Sequence, residues 1–374
     1  MKQRLMMIAG EASGDLHGAG VVRELKRMNP AVDIFGIGGD KMQKEGMTLT
    51  YHVRETSFMG FVEVVKHLPL IWSVEKTLEQ LLVLKRPDVV VLIDYPGFNL
   101  RFARIAKKHG IKVVYYISPQ VWAWKKGRVK KMAGTIDKML VVFPFEVPIY
   151  EKEQIPVQFV GHPLVDEMKD VMTKEQFCKR YDLAPEKKFI AVIPGSRKQE
   201  IENLFSVMVR SAAECAGERK EVVVAVAPNL PMELYRQHLP PNVHVNVKFI
   251  QHATHEVMKY AEFAFVTSGT ATLETACVGT PMVVVYKTSM LTYAIAKFVV
   301  KIKNISLVNI VAGKTVVPEM VQGDATVDNL VREARAVIDS PERYDAMKRE
   351  LDDVRLKLGG TGASLQVAEA VMAI

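Results

Sequence analysis

The stretch Val-Val-Val-Leu-Ile-Asp-Tyr-Pro-Gly, residues 89–97, decides the fold. Its first five residues are apolar on both faces, as in a strand buried within a parallel sheet, and polar turn residues follow at once. Runs of a similar kind stand earlier in the chain, at Arg4–Ala9 and Ile34–Ile37. Amphipathic patterns at Gly14–Met28 and Leu100–His109 separate the runs. This alternation of strands and helices predicts a doubly wound α/β architecture.

The alternation begins again in the second half of the chain. No strand is predicted between Val160 and a new strand at Phe189–Ile193, and the charged stretch between them resembles a connector. We predict two Rossmann-like domains facing across a cleft, residues 1–165 and 166–345, followed by C-terminal helices at 346–374, one of which could cross back to the first domain. The remaining predicted strands are Val113–Ile117, Met139–Val142, Val157–Val160, Val222–Ala227, Val243–Phe249, Phe263–Val266 and Met282–Val285.

The composition excludes several classes of protein. With 374 residues, of which 49% are hydrophobic and 25% charged, the chain lies in the range of ordinary globular proteins and outside that of disordered, collagen-like or coiled-coil ones. Three cysteines, far apart, do not form a disulfide framework and suit a reducing cytosol. No segment reaches the ~18 apolar residues of a membrane-spanning helix. We therefore expect a cytoplasmic protein.

The basic excess of the chain lies in its first half. Residues 1–165 carry 24 Lys and Arg against 16 Asp and Glu, whereas the remainder carries 26 of each. A local excess of one sign predicts a partner of the opposite sign. The candidates are nucleic acid, a phosphosugar and an anionic lipid.

Candidate functional residues follow the predicted strands, because ligands of open α/β sheets bind beyond the carboxyl ends of the strands. The first strand is followed by Gly-Glu-Ala-Ser-Gly-Asp, residues 10–15, which predicts a tight turn and a capped helix. A cap does not require Glu11, so this residue is a candidate for chemistry. No GxGxxG pattern is present, and a dinucleotide site is not indicated. The other loop residues that we assign to the ligand are Ser13, Gly14 and Asp15.

Asp94 directly follows the apolar run at residues 89–93. Partial burial at this position raises the pKa of a carboxyl group toward that of a general base. The sequence Asp-Tyr-Pro-Gly also consists largely of residues that favour turns, so the alternative is a turn with a structural role only. Asn99 lies in the same loop region and is assigned to the ligand with it.

A basic aromatic segment, Trp122–Lys131, holds two Trp and five Lys or Arg within ten positions. Trp122 and its neighbours suit stacking on nucleic-acid bases, and they equally suit a lipid–water interface. The alternative is a Trp in the core beside a solvated helix face.

Two loops of the second domain predict an anion site. Gly195, Ser196 and Arg197 follow a strand and combine a flexible backbone with a guanidinium donor. Ser268, Gly269 and Thr270 begin a helix whose free N–H groups suit a diphosphate, and Glu274 lies one turn further on, where it could accept hydrogen bonds from a ribose. We find no metal-ligand pattern and predict neither a metal nor a cofactor.

Five motifs, in the same order along nearly the whole chain, resemble the lipid-A-disaccharide synthase family. They are Gly10–Asp15, Ser118–Trp124, Phe159–Pro163, Pro194–Arg197 and Ser268–Glu274. The resemblance implies a GT-B inverting glycosyltransferase of Gram-negative bacteria. Such an enzyme transfers 2,3-diacylglucosamine from its UDP conjugate to 2,3-diacylglucosamine 1-phosphate, giving a β-1,6-linked disaccharide and UDP.

The resemblance also implies roles for single residues. Asp94 matches the general base, Asn309 matches a polar residue of the nucleotide site, and Gln322 falls in the same region. Val308 stands where the family pattern has Pro, which puts the local backbone in doubt. Members of the family form dimers that exchange C-terminal segments.

The acylated substrates imply contact with the inner-membrane surface. The segment from Phe58 to Trp72 is rich in large apolar residues, as tail capture and interfacial binding require. The alternative is a buried helix pair, since most apolar stripes are core. The residues that we assign to acyl or membrane contact are Phe58, Met59, Phe61, Val65, Leu68, Ile71 and Trp72.

Two other functions remain open on the sequence. One is a different UDP-sugar enzyme of the same fold, either a UDP-N-acetylglucosamine 2-epimerase or a peptidoglycan-precursor N-acetylglucosaminyltransferase. The other is a non-enzymatic nucleic-acid binder built on the basic aromatic segment. The neutral second half, with its diphosphate-type loop, argues against nucleic acid.

Overall fold

The computed structural model describes residues 3–56, 68–120, 127–168, 171–241, 243, 245–288 and 304–374. The chain forms two compact units. The first consists of Met1–Asp166 together with Gly359–Ile374, and the second of Glu167–Leu358. The chain thus returns to the first unit at residue 359.

The first unit is built on seven parallel strands in the order β3-β2-β1-β4-β5-β6-β7. The direction of strand addition reverses between β1 and β4, which makes their carboxyl ends the expected place for a ligand. Ala9 of β1 pairs with Ile93 of β4, so the loops that follow these two strands begin side by side. The strands are β1 Arg4–Ala9, β2 Asp33–Gly38, β3 Thr48–His52, β4 Val89–Ile93, β5 Lys112–Tyr116, β6 Lys138–Val141 and β7 Val157–Phe159.

Helices cover this sheet, and the residues of β4 are buried throughout, as its apolar sequence predicts. The helix after β4 begins at Pro96 rather than at the predicted Leu100, because proline is favoured in the first turn. The helices are Ala12–Met28, Asp40–Lys44, Val53–Thr56, Leu68–Lys85, Pro96–Lys108, Gly127–Lys130, Val147–Glu151, Leu164–Glu167 and Ala363–Met372, with a 3-10 turn at Pro144–Glu146.

The last helix of the chain, Ala363–Met372, packs on Ala12–Met28 in the first unit. The Asp166 carboxylate accepts hydrogen bonds from the backbone N–H groups of Gly362, at 2.8 Å, and Ala363, at 3.1 Å. A cap of this kind stabilises a helix by about 0.5–2 kcal/mol. Asp166, the last residue of the N-terminal part of the first unit, thus binds the start of the C-terminal helix.

The second unit is built on six parallel strands in the order β10-β9-β8-β11-β12-β13. The reversal here lies between β8 and β11, where Ile193 pairs with Val266. The loops that carry Arg197 and Ser268 therefore begin on adjacent strands. The strands are β8 Phe189–Ile193, β9 Glu221–Val226, β10 Val247–Gln251, β11 Phe263–Thr267, β12 Met282–Tyr286 and β13 Glu319–Val321.

The helix Pro341–Lys357 packs against three other helices of this unit and belongs to it. The helices are Lys174–Tyr181, Lys198–Glu200, Ser206–Ala216, Met232–Gln237, Thr254–Tyr260, Thr270–Cys277, Leu307–Ala312, Val327–Ile338 and Pro341–Lys357, with a π turn at Ile201–Phe205 and a 3-10 turn at Gln322–Asp324. In the part of the chain that the structure describes, no helix is both long and apolar enough to cross a bilayer.

The strands β3 and β13 were not predicted from the sequence. The predicted start of β10, at Val243, lies four residues before the observed start. All three lie at the edges of their sheets and are largely half-buried. Their sequences therefore lack the continuous apolar run that marks the central strands.

Candidate active site

Asp94 lies at the carboxyl end of β4, in the left-handed backbone region with φ 46°. Tyr95, with φ 48°, continues this conformation into the helix Pro96–Lys108. The Tyr95 ring lies against Gly10, where a Cβ atom would overlap the ring. Glycine is therefore required at this position, because the two loops approach each other closely.

The backbone of Asp94 is held by hydrogen bonds from three sides. Its N–H donates to the carbonyl oxygen of Tyr116 at 2.9 Å. Its carbonyl oxygen accepts from Nδ2 of Asn99 at 2.7 Å and from the hydroxyl of Tyr115 at 2.6 Å. Asn99 is fully buried and also donates to the carbonyl oxygen of Ile93. Asn99 thus holds the backbone of Asp94 in place. Because the Asn99 side chain is buried, it takes this role in place of the predicted contact with the ligand.

The pKa of the Asp94 carboxyl group rises to about 6. Burial is the main cause, the negative charge of Glu11 adds to it, and a hydrogen bond to the Tyr95 backbone and the charge of His17 oppose it. A carboxylate with a pKa near neutrality can take a proton from a hydroxyl group more readily than an ordinary aspartate can. Glu11 itself is exposed at the start of the helix Ala12–Met28.

The other predicted residues of the first loop divide into two groups. Ser13 is exposed. Gly14 and Asp15 are buried, and the Asp15 carboxylate accepts N–H bonds from Gly39 at 2.7 Å and Met42 at 3.0 Å. Asp15 therefore holds the turn after β2, a structural role that differs from the predicted ligand contact.

Ser118 and Glu146 form a buried polar pair that sequence reasoning missed. The Ser118 hydroxyl donates to Oε1 of Glu146 at 2.5 Å, and both residues are at most 5% exposed. Near it, burial and then the charge of His17 lower the pKa of His162 to about 3, so this histidine is neutral. The ring of His162 lies 5.2 Å from that of Phe143.

In the second unit, the loop after β8 is closed by Glu200. Gly195 has φ 101°, and Oε2 of Glu200 accepts the N–H groups of Ser196, at 2.9 Å, and Arg197, at 3.1 Å. Oε1 of the same carboxylate binds Nη1 of Arg197 at 3.0 Å. The backbone donors that we expected to hold an anion are thus bonded to Glu200. Glutamate at the third position of a helix is the signal of a capping box and could have been recognised.

The loop after β11 presents an uncapped helix start. Gly269, with φ 149°, precedes the helix Thr270–Cys277, and no side chain caps it. Thr270 is exposed, and the hydroxyl of Ser268 donates to the carbonyl oxygen of Ile305 at 3.4 Å. The N–H groups of such a first turn suit an anion.

Glu274 is half-buried, and its Oε1 lies 3.9 Å from Nε2 of His255. Burial disfavours the charged imidazole, but the Glu274 carboxylate, with Glu167 and Glu256 nearby, raises the pKa of His255 above its ordinary value.

Asn309 is fully buried and uses its whole amide inside the protein. Its Oδ1 accepts from the N–H groups of Val316 and Val317, and its Nδ2 donates to the carbonyl oxygen of Val317 and to Oε1 of Glu319. No hydrogen-bonding position is left for a nucleotide. The predicted direct contact is therefore replaced by a positioning role.

Glu319 also accepts the N–H groups of Ile305 and Ser306 and the Ser306 hydroxyl, and in this way fixes the segment before the helix Leu307–Ala312. Gln322 makes two bonds with the backbone of Thr288, accepting at 2.7 Å and donating at 3.0 Å. Sequence reasoning missed Glu319, because its partners lie up to 14 residues away.

Of the residues assigned to acyl or membrane contact, Leu68 and Ile71 are half-buried and Trp72 is 57% exposed. Ile71 packs against the hydrophobic core of the first unit. The other members of the set, together with Trp122, lie outside the described residues; they are Phe58, Met59, Phe61 and Val65.

Two Rossmann-like units, each built on a parallel sheet whose strand order reverses, define the class of GT-B proteins. Solved structures of this class are similar over the full chain. A UDP-GlcNAc 2-epimerase from Neisseria meningitidis bound to UDP-GlcNAc has a TM-score of 0.66 at 16% identity, covering 100% of both chains. CalG4, the calicheamicin glycosyltransferase, has a TM-score of 0.62 at 17% identity, covering 100% of this chain and 98% of that one.

The sequence narrows the class to one family. The protein-family model described as "LpxB: Lipid-A-disaccharide synthetase" matches residues 5–371 of this chain. Lipid-A-disaccharide synthases of Geobacter sulfurreducens and Syntrophus aciditrophicus are 42% and 40% identical, over 99% of this chain and 96% and 97% of theirs. The chain belongs to the lipid-A-disaccharide synthase family and is a glycosyltransferase. The predicted fold class, family and enzyme class are confirmed.

Proposed function

We propose that the protein transfers 2,3-diacylglucosamine from its UDP conjugate to the 6-hydroxyl of 2,3-diacylglucosamine 1-phosphate, with inversion at the anomeric carbon. The products are the β-1,6-linked disaccharide and UDP. Asp94 takes the proton of the 6-hydroxyl as its oxygen attacks. The family assignment supports the general reaction, and the environment of Asp94 supports its role as base.

The observation that carries this proposal is the raised pKa of Asp94 at the reversal point of the first sheet. A base must be ionised at working pH and yet hold a proton well, and a pKa of about 6 meets both needs. Its backbone is fixed by Asn99 and Tyr115, so little reorganisation is needed when the acceptor binds.

The donor is assigned to the loops of the second unit. We propose that Ser268, Gly269 and Thr270 hold the diphosphate at the uncapped helix start, and that Glu274 accepts hydrogen bonds from the ribose. Arg197 is exposed, and among the described contacts Nη1 is the one guanidinium nitrogen that Glu200 binds. Its remaining guanidinium donors are assigned to phosphate oxygens, while Gly195, Ser196, Asn309 and Gln322 fix the loops around the nucleotide.

The acylated substrates place the reaction at a membrane surface, and we propose peripheral association with the inner membrane. Trp72 and Leu70, 57% and 40% exposed, supply apolar surface at the start of the helix Leu68–Lys85. Trp is a residue of the membrane interface.

The test is incubation of the full chain with UDP-diacylglucosamine and the 1-phosphate acceptor, followed by mass spectrometry of the products. The proposal expects disaccharide and UDP in equal amounts, and no UDP release without acceptor. Epimerised UDP-sugar, formed without acceptor, would replace it with the 2-epimerase alternative.

A further inference from the structure

A basic groove in the first unit lies between the helix Pro96–Lys108 and the segment before β6. Its volume is about 310 Å³, and one end is lined by Pro96 and Gly97, which directly follow Asp94 and Tyr95. A cavity of this size lies at the lower end of the ~300–1,000 Å³ range of small-ligand sites. None of the roles assigned above uses it.

Three cationic side chains and no carboxylate line the groove among the residues that the structure describes. Arg104 and Lys131 are exposed and form no ion pair among the described residues. Arg101 binds Glu75 through Nε, while its Nη2 is buried and has no hydrogen-bond partner within the described ranges.

The floor of the groove is apolar. Leu100, Met132 and Ile136 line it, and the last two are at most 4% exposed. The methylene stems of the cations add to this apolar surface. The combination fits an amphiphile that carries one compact anionic group beside an aliphatic chain.

We infer that this groove binds the phosphate of the acylated acceptor, with part of an acyl chain against Leu100, Met132 and Ile136. The inference rests on the proposed function, in which phosphate and reacting hydroxyl belong to the same hexose. Because one sugar ring separates the two groups, the phosphate site must lie next to the base. The groove suits this requirement, since Pro96 and Gly97, which line it, begin the helix that follows Asp94 and Tyr95.

The test compares Arg104→Gln/Lys131→Gln with the control Lys44→Gln/Lys108→Gln. Both double variants of the full chain lose two positive charges from exposed positions of the first unit, and Lys108 lies on the same helix as Arg104. Titration calorimetry uses dodecyl phosphate below its micelle concentration, with dodecyl glucoside and inorganic phosphate as comparison probes. We expect the groove variant to bind dodecyl phosphate at least about tenfold more weakly, because two charge-assisted bonds are lost. We expect the control variant to bind dodecyl phosphate as tightly as the wild type does, and the groove variant to keep the wild-type affinity for dodecyl glucoside.

Kinetics separate the site from the proposed function. For the groove variant we expect a raised KM for the 1-phosphate acceptor and unchanged UDP affinity. Normal transfer with unchanged acceptor KM and unchanged dodecyl phosphate affinity would overturn the inference. Weaker binding to phosphatidylglycerol vesicles with unchanged acceptor KM would also overturn it, in favour of a lipid headgroup. If the wild type transfers no sugar, the proposed function is wrong. If dodecyl phosphate binding then still depends on Arg104 and Lys131, the groove remains supported as an anion site.

Discussion

Asn99 donates a hydrogen bond from Nδ2 to the backbone carbonyl oxygen of Asp94, at 2.7 Å. The same amide reaches the carbonyl oxygen of Ile93 at 3.2 Å, so a buried residue one helical turn away fixes the end of β4. The proposed base is therefore oriented by the helix that follows it.

Substitution of Asn99 by Ala is expected to lower kcat more than it raises the acceptor KM. It removes one of the two side-chain donors to the carbonyl oxygen of Asp94 and the bond to the carbonyl oxygen of Ile93. The loss costs about 0.5–1.5 kcal/mol of folding free energy per bond and loosens the backbone of Asp94. Steady-state kinetics and thermal unfolding measure the two effects. Tyr115→Phe, which removes a second bond to the same oxygen, should show a smaller effect of the same kind. The exposed Asn203→Ala serves as control, and equal kinetics in Asn99→Ala and this control would contradict the positioning role.

The pH dependence of kcat/KM is expected to follow Asp94. The base must be ionised, so activity falls as the pH drops through about 6, the pKa of Asp94. Because the negative charge of Glu11 raises that pKa, Glu11→Gln should move the acid limb to lower pH. Glu24→Gln, near the other end of the same helix, should leave the limb in place. A limb that stays unchanged in Glu11→Gln would show that another group controls it.

The sequence predicts the buried parts of this arrangement well. The bounds of β1, β4 and β8 match the prediction, because each is a continuous apolar run, and Asp94 directly follows such a run. The partners of Asp15 and Asn309 were not predictable in the same way. Asp15 bonds to residues up to 27 positions away, and Asn309 bonds to the carboxylate of Glu319, which lies 10 positions further along the chain. The sequence alone does not distinguish a polar side chain that binds a ligand from one that binds the protein backbone.

Replacement of Arg197 or Glu274 by Ala is expected to weaken UDP binding. Each variant removes a charged contact that is typically worth about 1.5–3 kcal/mol. Calorimetric titration with UDP measures the loss. Lys198→Ala, an exposed neighbour of Arg197, is the matched control. Wild-type UDP affinity in both the Arg197 and the Glu274 variant would remove the donor site from these loops.

Membrane association is expected to resist salt in part. The basic excess of residues 1–165 should respond to ionic strength, whereas apolar contact through Trp72 should not. Co-sedimentation with anionic vesicles, measured at low and high salt, should therefore show a salt-resistant fraction that Trp72→Ser reduces. No vesicle binding at low salt would end the interfacial interpretation.

The central claim is that Asp94 is the base, and Asp94→Asn tests it most directly. The variant keeps the shape of the side chain and cannot accept the proton, so turnover should fall by roughly 10²–10⁴-fold. UDP affinity, measured by calorimetry on the same preparation, should stay at the wild-type value, because Asp94 belongs to the first unit and the UDP loops to the second. Disaccharide formation at near wild-type rate in Asp94→Asn would contradict the claim and make Glu11 the next carboxylate to test.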